Sequence, residues 1–171
     1  TSSASSTFDE EISNITFGTL NNSSLCGVTA PGPGSIASRY SNFTTSVPAP
    51  SIAQGASVTF SATQTTCNGN FTNRTGIFID WNRDGDLTDA GENVFLGPAI
   101  SGNHTDAGSI IVPATASLGI TLMRVKNVET SSTFTPCGTF TWGEVEDYFV
   151  NIIAPPPFPP ACATYISPAN L

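Results

Sequence analysis

The run Ser57-Val58-Thr59-Phe60-Ser61-Ala62 decides the fold. Val58 and Phe60 fall on one face of an extended chain and the hydroxyls on the other, the period expected where one side of a sheet packs inward and the other meets water. Similar short runs of Val, Ile, Thr and Phe recur at 12–17, 76–80, 94–96, 109–112, 120–128 and 146–153, parted by clusters of Gly, Pro, Asn and Ser. Helical periodicity is nearly absent. About seven to nine strands of this kind predict an all-β fold, a two-sheet antiparallel β-sandwich. Pro48, Pro50 and Pro113 stand at the borders of runs, where a missing amide does no harm to a ladder.

The chain of 171 residues is long enough for one domain with a core of its own. The Ser/Thr-rich segment 1–7 reads as flexible and the sandwich as 8–153. A Pro-rich linker follows at 154–161, and 162–171 reads as the start of a next module or a docking tail. Lys and Arg together number five and the net charge is −8, which excludes a basic nucleic-acid surface and disfavours anionic membranes. No apolar run reaches the roughly 20 residues that cross a bilayer, so membrane insertion is not expected. Neither a basic n-region nor an apolar h-region opens the sequence, so any signal peptide lies upstream or has been removed.

Cys26, Cys67, Cys137 and Cys162 lack the close pairs of metal or redox motifs and read as a disulfide framework formed in an oxidising, extracellular compartment. Four cysteines permit three pairings. Cys67 with Cys137, both next to loops that lead into core strands, is the pair favoured here, leaving Cys26 with Cys162. Asn-x-Ser/Thr triplets occur at Asn14, Asn22, Asn42, Asn70, Asn73 and Asn103 and matter only for a eukaryotic secretory route.

Between the runs at 76–80 and 94–96 lies Asp80-Trp81-Asn82-Arg83-Asp84-Gly85-Asp86-Leu87-Thr88-Asp89-Ala90-Gly91-Glu92, dense in acids for a chain only 11% charged. Asp80, Asn82 and Asp84 alternate before a glycine, the first half of a calcium-loop pattern, and an all-oxygen donor set suits a hard cation. The second half departs from the EF-hand, since Gly91 stands where its bidentate Glu belongs and Glu92 comes one residue later. The flanks are strands, so no helix pair is present for an ion to open. A structural Ca2+ is expected, with side chains from Asp80, Asn82 and Asp84, a carbonyl or carboxylate from Asp86, and closure by Asp89 or Glu92.

A second acidic run, Thr139-Phe140-Thr141-Trp142-Gly143-Glu144-Val145-Glu146-Asp147-Tyr148-Phe149-Val150, leads straight into an apolar strand. Glu144 and Glu146 share one side of that strand and Asp147 takes the other. They either complete the calcium shell or pair with Arg124 and Lys126 on a neighbouring strand. Together with Ile79 to Asp86 and Leu122-Met123-Arg124-Val125-Lys126, the Gly143-Glu144-Val145-Glu146-Asp147-Tyr148 run resembles the GEVED domain of secreted bacterial proteins. The resemblance extends over about Phe8 to Ile153, taking in the opening run Glu10-Glu11-Ile12-Ser13-Asn14-Ile15-Thr16-Phe17-Gly18. It implies a non-catalytic β-sandwich accessory module of secreted or surface-attached proteins, chiefly of Bacteroidota. Family members often begin with a Tyr-Cys pair just upstream, whereas the first cysteine here is Cys26.

His104 and Asp106 lie in a polar stretch read as an exposed loop, with no nucleophile elbow or second metal-type histidine beside them. The expected role is therefore adhesion or ligand binding at a cell surface, toward a protein or a glycan stacked on Trp81, Trp142, Tyr40 and Tyr148. The alternative is a structural subunit of an extracellular filament, docking on neighbouring copies through Phe158 and Tyr165 to Ile166. A carbohydrate-binding module attached to a secreted hydrolase is a further variant.

Overall fold

In the computed structural model, residues 2–6 and 10–157 are described. Their strands run β1 (Ser2–Ala4), β2 (Glu10–Phe17), β3 (Leu20–Ser23), β4 (Tyr40–Asn42), β5 (Ser51–Ala53), β6 (Ser57–Thr66), β7 (Thr72–Ile79), β8 (Asn93–Leu96), β9 (Ile100–Ser101), β10 (His104–Ile111), β11 (Gly119–Glu129), β12 (Gly138–Phe140) and β13 (Gly143–Ile153). No helix occurs among these residues. The fold is an all-β sandwich. One sheet has the order β10-β6-β2-β3; the other has β4-β13-β11-β7-β8, with β5 also on β13 and β9 on β7. Pairing is antiparallel except that β4 and β5 run parallel to β13, and β1 runs parallel to β12 in a separate ribbon.

Val58, Phe60 and Ala62 of β6 are buried while Ser57 and Thr59 face solvent, as their alternation requires. Ile15 and Phe17 of β2 extend that apolar face. Against it the larger sheet sets Ile77 and Ile79 of β7, Met123 and Val125 of β11, and Tyr148, Val150 and Ile152 of β13. Each such side chain contributes about 1.5–3 kcal/mol on burial. Phe43 stacks on Tyr148 at 5.4 Å between ring centroids and closes one flank.

A bulge at Ser13 adjusts β2 to this core. Pairing with β6 steps from Ile12↔Gln64 to Asn14↔Thr63, so one extra residue sits on β2. Ile12 and Ile15, three apart, would face opposite sides of a regular strand, yet both are buried in the core.

All the runs read as strands are strands. Several are longer than their apolar stretch, and the additional strands are mostly pieces of two to four residues. Residues 2–4 correct the reading of 1–7 as flexible, because Ser2 and Ala4 are buried in β1. His104 and Asp106 are likewise not in a loop but at the start of β10, where Asp106 is buried. Residues 154–157 carry no strand. Cys162, Phe158, Tyr165 and Ile166 lie outside the described residues.

The disulfide is Cys26–Cys67, with Cα atoms 6.0 Å apart and a sequence separation of 41, which corrects the expected pairing of Cys67 with Cys137 and Cys26 with Cys162. The reason is sheet order. β3 and β6 both pair antiparallel with β2, so they run parallel to each other and end at the same edge, with Cys26 and Cys67 just beyond those ends. Cys137 is an exposed thiol before β12. Peptide mapping under non-reducing conditions should recover a Cys26–Cys67 linked pair. Replacing both by serine should cost about 2–4 kcal/mol in a urea melt, since the closed loop is long.

Candidate functional site

The two acidic runs occupy opposite ends of the larger sheet. Glu144 is level with Asn127 on β11 and so with Thr75 on β7, whereas Asp80 follows the far end of β7. Five residues of strand separate the two levels, about 16 Å at the usual rise. Glu144 and Glu146 therefore do not complete a shell around Asp80 and Asp84.

Each residue from Gly143 to Asp147 has a separate task. Gly143 has φ +125°, and a Cβ there would lie 2.1 Å from the Asn127 carbonyl oxygen, so only glycine lets β13 start this close to β11. Glu144 turns inward between the sheets. Its carboxyl accepts the Ile12 amide at 3.0 Å and the Ser41 hydroxyl at 2.6 Å. Glu146, on the same face, accepts the Ser24 hydroxyl at 3.0 Å and the Tyr148 hydroxyl at 2.8 Å. The Tyr148 oxygen in turn accepts the Asn22 amide at 2.8 Å. Val145 is buried on the outer face.

Asp147, also on the outer face, takes a two-pronged contact from Arg124, with Nε and Nη2 each 2.7 Å from a carboxylate oxygen. Tyr40 adds a hydroxyl at 2.9 Å, and the third guanidinium nitrogen reaches the Pro136 carbonyl at 3.3 Å. The pair is buried, and each guanidinium nitrogen makes a hydrogen bond. Lys126 joins none of these acids. Its ammonium lies 4.4 Å from the Phe140 ring centroid and donates to the Thr135 carbonyl at 3.1 Å. Burial first, then the neighbouring Arg124 charge, pushes its pKa down to about 8. Of the two roles open to these acids, Asp147 takes the ion pair with Arg124. Glu144 and Glu146 are hydrogen-bonded inside the sandwich.

The Asp80 loop is braced by its own backbone. Asp80 accepts the Arg83 amide at 2.6 Å and the Gly85 amide at 3.2 Å, a tight turn that puts Arg83 at φ 63° and Gly85 at φ 95°. Arg83 reaches across to the carbonyls of Ile120 and Leu118, docking the loop on the start of β11. Asn82 Nδ2 donates to Asp84 at 2.9 Å and to Asp89 at 2.5 Å, so these two carboxylates meet at one nitrogen. Asp86 is turned away toward Thr88, whose amide and hydroxyl hold its carboxyl below the usual range. Glu92 is buried at the base of the loop, accepting the amides of Trp81 at 2.9 Å and Asp89 at 3.2 Å. Burial raises its pKa, with Asp80 and Asp89 adding to the rise.

Asp84 and Asp89 converge on the Asn82 amide nitrogen, and their oxygens are of the donor type that a hard cation takes. A rotated amide would present its oxygen there instead. Acids alone do not close a shell: among the described residues no three Asp, Glu, His or Cys side chains form a metal-holding group. Remaining donors would have to come from Asn82 and main-chain carbonyls.

Elsewhere, the expected aromatic platform is dispersed. Trp81 and Tyr148 are buried in the core and Tyr40 is half-buried, leaving Trp142 at 42% exposure. His104 and Asp106 sit 3.6 Å apart on β10, and burial raises the Asp106 pKa. Ser24 and Ser41 were given no role in the sequence reading.

Asp147→Ala leaves the Arg124 guanidinium buried without its partner and should cost about 3–5 kcal/mol in a urea melt. Asp147→Leu combined with Arg124→Met should recover most of that loss. Equal losses in the single and double variants would show that the pair itself is not what the site depends on.

No curated protein sequence matches the chain. Among solved structures, the crystal structure of the CARDB domain of the PF1109 protein in complex with di-metal ions, from Pyrococcus furiosus, is similar at 10% identity and a TM-score of 0.33, covering 61% of this chain and 81% of that one. Residues 74–151 match the GEVED domain family. The match runs from β7 into β13 and takes in the Asp80 loop, Arg124 and the Gly143–Asp147 run, while β1 to β6 precede it. The segment from 74 to 151 is thus similar to the GEVED family, and the matched stretch includes the run that clasps the two sheets together.

Proposed function

We propose that the chain is a non-catalytic, calcium-stabilised module of a secreted or cell-surface protein, acting in adhesion or ligand binding. The family match supports an extracellular accessory role, and the Cys26–Cys67 disulfide suits an oxidising compartment. The observation that carries the calcium reading is the meeting of Asp84 and Asp89 at Asn82, above the turn held by Asp80. An ion there would join the two arms of the loop and hold the β7–β8 connection against β11. Because strands flank the loop, binding would stiffen the domain without switching it.

A protein partner is favoured over a glycan, since Trp142 is the one exposed ring of the four that would have stacked on sugars. Calcium at about a hundredfold its dissociation constant should raise Tm by about 5–10 °C over the chelated protein. Asp84→Ala together with Asp89→Ala should abolish that rise. A wild-type Tm that is indifferent to calcium would refute the calcium reading.

A further inference from the structure

The single histidine of the chain stands on an edge strand. β10 ends the order of its sheet, so its outer backbone edge meets no further strand among the described residues. His104 and Asp106, two residues apart and therefore on one face of β10, have side chains only 8% and 6% exposed.

The state of the ring follows from its neighbours. His104 Nδ1 lies 3.0 Å from the Gly102 carbonyl oxygen, which can only accept, so Nδ1 carries the hydrogen. In the neutral ring Nε2 then presents a lone pair, and this atom is buried without a hydrogen-bond partner. It stands 3.6 Å from Asp106 Oδ2, which is buried and unpartnered as well. That distance is too long for a hydrogen bond. It is close to the separation, about 3.4 Å, of two ligand atoms that share one tetrahedral zinc ion.

Amide oxygens accompany the pair. Asn73 of β7 donates at 3.3 Å to the same Gly102 carbonyl that His104 uses, and its Oδ1 is buried without a partner. Gln64 of β6 is the register partner of His104; its amide donates to Thr75, and its Oε1 is likewise buried and unpartnered. Both side chains are fully buried. A surface pocket of about 300 Å3, lined in part by Asn103, His104 and Gln64, opens this corner to solvent.

We propose that this corner binds one transition-metal ion of the zinc type, with His104 Nε2 and Asp106 Oδ2 as anchoring ligands and an amide oxygen of Asn73 or Gln64, with solvent, completing the shell. The Nδ1 bond to Gly102 is the outer contact that orients a ligating imidazole. Among the described residues no third His, Cys, Asp or Glu joins the pair, which is why amide oxygens and solvent are needed. The nitrogen donor sets this place apart from the Asp80 loop, whose donors are oxygen alone and suit a hard ion. The two also lie at opposite ends of β7, Asn73 near its start and Asp80 just past its finish. An ion held by β10 and β7 would pin the edge strand of one sheet to the other sheet.

The test uses the untagged chain with its thiols alkylated, so that Cys137 cannot take the metal, in excess calcium, so that an oxygen site is already filled. Titration with zinc chloride should show one ion per chain by calorimetry, with affinity at least tenfold lower in Asp106→Asn and in His104→Gln. Nitrogen NMR of the imidazole reads His104 alone, because the chain has one histidine. Zinc should shift the Nε2 signal and leave Nδ1 protonated. Unchanged affinity in either variant would mean an adventitious ion only and overturn the proposal. An imidazole signal that zinc leaves unmoved would do the same, reducing the pair to an ordinary ion pair. Should the variants fail to fold, the wild-type signal decides: a shift complete at one equivalent supports the site, and no shift removes it. None of these outcomes depends on whether the Asp80 loop binds calcium.

Discussion

A carboxyl group buried in a protein must find donors or hold a proton, and β13 buries three within four residues. The rest of the molecule is arranged around meeting that requirement. Successive acids on a strand point to opposite faces, so Glu144 and Glu146 gather β2, β3 and β4 on the inner side while Asp147 gathers β11 and Tyr40 on the outer. One short run thereby fastens the two sheets together and the edge strand to both. The bulge at Ser13 belongs to the same arrangement, since it leaves Ile12 in the core with its amide directed at Glu144.

The Asp80 loop meets its charge differently. Its carboxylates are held by backbone amides within the loop, and its acids other than Asp80 and Glu92 are largely exposed. An exposed acidic loop can exchange ions with solvent; the clasp, closed to water, cannot do so readily. The larger sheet thus carries a buried, hydrogen-bonded run of acids at one end and an exposed acidic turn at the other. Both fall within the segment that matches the GEVED family.

The main strands were legible because each carries an apolar alternation long enough to read, as at Val58 and Phe60. The short ones were not, because β4, β5 and β9 owe their geometry to the neighbours they pair with, and β1 to β12. Cysteine pairing was hidden for a related reason: Cys26 and Cys67 meet only through the sheet order that places β2 between β3 and β6. At the site, opposite charges on paired strands made Arg124–Asp147 readable as one of two options. The inward course of Glu144 and Glu146 was not readable, because both faces of β13 are buried and alternation then carries no sign of which face is the core. Ser41 carried no signal of its own, since the Glu144 carboxyl it donates to lies 103 residues away.

The central claim is that Glu144 clasps the two sheets through β2, and native-state hydrogen exchange reads this at one amide. In Glu144→Ala the Ile12 amide and its neighbours in the first half of β2 should exchange far faster than in wild type, while the β6–β10 ladder keeps its protection. Unchanged protection at Ile12, or a uniform loss across both sheets, would contradict the account.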